Sequence, residues 1–126
     1  YFNPHPKGLS TGDCVKRSIV AATGMEYSAV QQEINTLTRE MKIRKRKRPI
    51  TSHKDDRVCT KYIEETLNGT KLPEYKNMKI GDFAKMNLPG SYIISCRGHL
   101  VTVKDGLVMD TWNSSFKAAG RIWRIN

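Results

Sequence analysis

The sequence predicts an α+β domain in which N-terminal helices pack on a C-terminal antiparallel sheet. Three observations carry this expectation. Apolar residues recur at helical spacing through the first half of the chain. Runs rich in β-branched and aromatic residues, each of strand length, fill the last third, and an Asp-Gly pair joins two of them. The order of helices first and strands second is that of an α+β domain.

Residues 1–12 are polar and turn-rich. A helix is expected over about 14–23, with Val15, Ile19 and Ala22 on its buried stripe, Asp13 as N-cap and Gly24 just past its end. A second helix starts near Ser28 and carries Val30, Ile34, Leu37 and Met41 inward until the basic run and Pro49 end it. From Pro49 to Asp56 no period is visible, which reads as a mobile surface loop. A third helix is expected over about 57–67, with Val58, Tyr62 or Ile63, and Leu67 inward and Asn68-Gly69 as its stop. A connection follows, with one helical turn around Asp82 to Met86. Strands are expected at 91–96, 99–103, 107–112 and 121–125.

The chain has 126 residues, the length of one domain. Its 38% hydrophobic and 27% charged residues exclude a collagenous, low-complexity or wholly disordered protein. No apolar run approaches the roughly 18–20 residues needed to cross a bilayer, and the opening YFNPHPKGLS lacks a signal-peptide core. The chain opens on Tyr1 rather than Met, which leaves room for native residues upstream. The cysteines Cys14, Cys59 and Cys96 are odd in number and without CxxC spacing, which argues against a disulfide framework and for a reducing, cytoplasmic setting. His5, His53 and His99 form no metal-spaced cluster with them, and neither metal nor cofactor is expected.

The net charge of +10 is local. Six of the 22 cations, Lys42, Arg44, Lys45, Arg46, Lys47 and Arg48, lie in one heptapeptide, and the remainder is 16 basic against 12 acidic residues. The segment from about 42 to 56 thus reads as a basic loop inserted in the domain. It is a candidate contact for nucleic-acid phosphates or an acidic protein, and residues 42–57 contain no aromatic side chain for stacking on bases.

The hairpin carries the chemistry. With Asp105-Gly106 as a two-residue turn, Lys104 pairs with Leu107, Val103 with Val108, Val101 with Asp110 and His99 with Trp112. Alternation then puts His99, Val101, Val103, Val108, Asp110 and Trp112 on one face. His99 and Asp110 become diagonal neighbours, roughly 7–8 Å apart at the backbone, close enough for the carboxylate to reach the ring. Asp110 sits among apolar positions and needs a partner, which His99 supplies. Cys14 opens the first helix, where free N–H groups and the helix dipole favour a thiolate. A nucleophile, a base and a base-orienter are therefore all present. Cys59 and Cys96 read as core or boundary residues, and His5 and His53 as solvated.

These strings, GDCVKRSIV and later GHLVTVKDGLVMDTWNSS, resemble the papain-like cysteine peptidases, in particular small bacterial and phage members similar to bacteriocin-processing peptidases. The resemblance covers roughly 10–35 and 80–115. It implies a single papain-like domain with Cys14 as nucleophile, His99 as base and Asp110 as orienter, with Trp112 and Asn113 as candidate substrate contacts. The family commonly places a Gln before the cysteine as oxyanion donor. Tyr1 to Asp13 contains none, and Asn3 is the best substitute, ahead of Ser10 and Thr11. The expected activity is hydrolysis of a peptide, isopeptide or amide bond through a thioester. The alternatives are a transglutaminase- or deamidase-like acyl transferase, and a non-catalytic binding protein that uses the basic loop.

Overall fold

The computed structural model describes residues 13–44, 47–52, 55–110 and 113–125. Helix α1 spans Cys14–Thr23, α2 Tyr27–Ile43 and α3 Asp56–Lys61, and α3 runs on as one π-helical turn over Tyr62–Thr66. Strand β1 (Thr70–Lys71), a 3₁₀ turn (Pro73–Tyr75) and α4 (Ile80–Lys85) follow. Strands β2 (Ser91–Cys96), β3 (His99–Lys104), β4 (Leu107–Met109) and β5 (Arg121–Ile125) complete an antiparallel sheet of order β1-β5-β2-β3-β4. The class is α+β, as the order of periods in the sequence requires. Among the described residues no helix is long and apolar enough to cross a membrane.

The sheet is covered on both faces. Ile93, Leu100, Trp123 and Ile125 pack against Val15, Ile19, Val30, Ile34, Val58 and Ile63 of the helices. Tyr92, Ile94, Val101, Val103 and Ile122 pack on the other side against Ile80, Phe83 and Ala84. Strand alternation separates the two sets, and this burial is the main stabilising term of the fold. The second layer was not foreseen, because α4 is too short to announce an apolar stripe.

Helix α1 is buried well beyond one stripe: Lys16, Arg17 and Ser18 are buried along with Val15, Ile19, Ala21 and Ala22. Gly24 ends it in the left-handed conformation at φ 76°, with its N–H donating to Val20 O. Asp13 does not cap it. Its carboxylate turns to the Arg17 guanidinium and to the Tyr27 hydroxyl, which donates at 2.5 Å, so the cap expected at this position is replaced by a buried polar network.

The expected hairpin register is observed for the two pairs nearest the turn. Lys104 faces Leu107 and Val103 faces Val108 across Asp105 and Gly106, both at positive φ (49° and 81°), the geometry of a type I′ turn. The turn is held from outside: Asp105 N–H donates to Gly90 O, and Gly90 N–H donates to the Asp105 carboxylate. A Cβ at Gly106 would collide with the Asn87 side chain. Strand β4 stops at Met109, short of the expected 112, and Asp110 lies in a bend, so Val101 and Asp110 are not a ladder pair. The segment after α2 also departs from expectation. Lys42 belongs to the last turn of α2, and Ile50 is buried in the core. Asp55 caps α3 by accepting from Arg57 N–H.

Candidate active site

Three elements meet where α1 begins, β3 begins and β4 has just ended. Cys14 is the first residue of α1, and Ser18 one turn later fastens that helix to β3. Its hydroxyl lies 2.7 Å from both Cys14 O and Leu100 O, while the Thr102 hydroxyl donates to Ser18 O at 2.5 Å. Leu100 is the neighbour of His99, so the bolt that seats the helix also sets the sulfur beside the imidazole.

His99 Nε2 lies 2.6 Å from Asp110 Oδ2, and both side chains are buried. A carboxylate only accepts, so Nε2 carries the proton in this bond. The Cys14 thiol sits close enough to the same imidazole for each group to shift the pKa of the other. Asp110 has a second partner: the Ser114 hydroxyl donates to the same Oδ2 at 2.8 Å. Ser114 is fully buried, and its loop is laced to the start of α4, where Gly81 N–H donates to Ser115 O and Ile80 N–H to Lys117 O. The bend that ends β4 thus aims Asp110 at His99 and keeps it there.

The electrostatics follow from these contacts. Hydrogen bonding to Asp110, and then to Cys14, raises the His99 pKa to about 9 against the opposing effect of burial. Burial works to raise the Cys14 thiol. The His99 hydrogen bond, a backbone hydrogen bond at Leu100 and the charges of His99 and Arg17 outweigh it, and the net shift is downward. The other two thiols move the opposite way. Burial, joined by nearby acidic charge, lifts Cys59 to about 12, and burial also raises Cys96. One sulfur of the three is therefore set apart as the easiest to ionise.

Of the residues singled out in the sequence, Cys14, His99 and Asp110 are brought together. Asn113 is exposed and its Oδ1 accepts from Ser115 N–H, a local turn contact. Asn3, Trp112, Lys45 and Arg46 lie outside the described residues. Lys42, Arg44, Lys47 and Arg48 are exposed on or just after the end of α2. Ser18 and Ser114 escaped notice. Ser114 follows Asp110 by four residues in a turn-forming stretch, the spacing at which a hydroxyl can return to an acid, but a buried acid was needed to make that spacing meaningful. Comparison with known families, curated proteins and solved structures returns no match to the chain.

Proposed function

We propose that the chain is a cysteine-dependent hydrolase of a peptide, isopeptide or other amide bond, with a papain-like arrangement of helix and sheet. The carrying observation is the convergence of Cys14, His99 and Asp110, with the imidazole pKa raised and the thiol pKa lowered. Those opposite displacements are what an imidazolium–thiolate pair requires, and Cys59 and Cys96 lack them. A cysteine opening a buried helix, with histidine at the start of one strand and an acid just past the next, supports the papain-like reading.

In this mechanism the Cys14 thiolate attacks the carbonyl carbon, forming the C–S bond as the carbonyl π pair moves onto oxygen. N–H groups in the first turn of α1 donate to that oxyanion, aided by the helix dipole. Collapse breaks the C–N bond, and the His99 imidazolium protonates the departing amine. The imidazole, now neutral, takes a proton from water as its oxygen attacks the thioester. The C–S bond breaks, an acid leaves, and the thiolate–imidazolium pair returns. Asp110 orients the ring throughout and takes no proton.

A generic acyl donor tests the chemistry without knowledge of the substrate. With p-nitrophenyl acetate, the protein is expected to release a burst of nitrophenolate and to carry an acetyl thioester on Cys14 by peptide mapping. Cys14→Ala abolishes the burst. A burst equal in Cys14→Ala, or acetyl groups found on lysines alone, contradicts the proposal.

A further inference from the structure

Away from this site, the second half of α2 and the segment following it border an open polar cavity of about 280 Å³, lined by Asn35, Thr38, Arg39, Lys42, Thr51 and Ser52. Asn35, Arg39 and Lys42 recur at i, i+4 and i+7, one face of the helix. Thr38 is buried and spends its hydroxyl on Ile34 O at 2.7 Å, which leaves the rim to Asn35, Arg39, Lys42 and Thr51. Among the described residues no carboxylate pairs with Arg39 or Lys42. The acids that follow in the chain are engaged elsewhere: Asp55 holds Arg57 at 2.7 Å, and Asp56 holds Arg121. Arg57 also donates to Arg48 O at 2.7 Å, which ties the end of the cationic run to α3.

We infer that this cavity seats a phosphate of a nucleic-acid duplex backbone between Arg39, Lys42 and the neutral donors of Asn35 and Thr51. The exposed Arg44, Lys47 and Arg48 neutralise neighbouring phosphates. A mixed set of cations, a hydroxyl and an amide matches the donors that contact phosphate oxygens, whereas a surface that only attracts negative charge needs no hydroxyl or amide. Among the described residues that line the cavity none is aromatic, so the lining offers no platform for stacking on unpaired bases and the backbone of a duplex fits better. Binding is sequence-independent, and it does not rest on the hydrolase reading.

The test measures anisotropy of a short fluorescein-labelled DNA duplex on the full chain from about 50 to about 200 mM salt, where phosphate contacts weaken steeply. Arg39→Glu/Lys42→Glu is expected to weaken binding at least about tenfold and to flatten the log K against log salt plot by about two. Asn35→Ala/Thr51→Val, which keeps the charge, is expected to weaken binding by about tenfold with the slope unchanged. All four positions lie outside the hydrophobic core, and iodoacetamide labelling of Cys14 in these variants stays at the parent level, separating this proposal from the hydrolase. Absence of duplex binding at the lower salt overturns it. So does a parent-like affinity in either variant, or polyglutamate binding as tight as the duplex.

Discussion

His99 Nε2 and Asp110 Oδ2 stand 2.6 Å apart although the ladder between their strands ends one residue before the acid, at Met109. The pair is therefore held by a bend and by Ser114, not by strand pairing, and the imidazole keeps a raised pKa because that acid stays aimed at it.

Replacing the acid tests this dependence. Asp110→Asn removes the largest contribution to the raised His99 pKa, which falls back toward 6.5. With less imidazolium beside it, the Cys14 thiol pKa rises. Alkylation of Cys14 by iodoacetamide near pH 6 then slows by about tenfold for each unit of that rise, because the thiolate is the reacting form. Rates from mass spectrometry of the labelled peptide check it.

How much of this was legible beforehand follows from two kinds of signal. The Asp105-Gly106 turn placed His99 and Asp110 on neighbouring segments of one hairpin, although the acid meets the ring from a bend beyond the ladder, and Gly24 marked the end of the helix that presents Cys14. Neither signal reaches beyond its own element. The seating of α1 on β3 depends on Ser18 and Thr102, hydroxyls that look the same in sequence whether solvated or buried. Strand β1 is two residues long and exposed, formed only because Thr70 and Lys71 meet Arg124 and Trp123. Asp13 has the residue type of an N-cap, and it misled because a buried arginine one turn on outcompetes the helix N–H groups for its carboxylate.

The two serines make separate predictions. Ser114→Ala removes one hydrogen bond to Asp110 and is expected to cost about 1 kcal/mol in urea unfolding, while slowing Cys14 alkylation. Ser18→Ala strips a donor from two carbonyls and is expected to cost about 1–3 kcal/mol. Its effect on alkylation reports whether the helix seat sets the sulfur's position.

Arg17 and Asp13 form a buried ion pair, and breaking one side is predicted to be severe. Arg17→Met leaves the buried Asp13 carboxylate without that counter-charge and is expected to cost about 3–5 kcal/mol. Asp13→Asn/Arg17→Met is expected to recover part of the loss. Denaturant midpoints of the two variants decide the matter.

The pH dependence of stability carries a definite sign. In Cys14→Ala the His99–Asp110 pair remains, and a raised imidazole pKa adds stability that is complete below about pH 6.5 and lost as pH rises through the folded value. That value lies below about 9, because the Cys14 hydrogen bond no longer contributes. Cys14→Ala/Asp110→Asn lacks this contribution. The gap in urea midpoint between the two variants is therefore expected to be wider near pH 6 than near pH 9.

The most direct measurement is the thiolate absorbance near 240 nm, titrated in the parent and in Cys14→Ala, with the difference assigned to Cys14. The account predicts a thiolate signal that is already present below the ordinary thiol range and disappears as the solution is acidified. A difference signal that emerges only near pH 9, the ordinary range for a cysteine thiol, would contradict it.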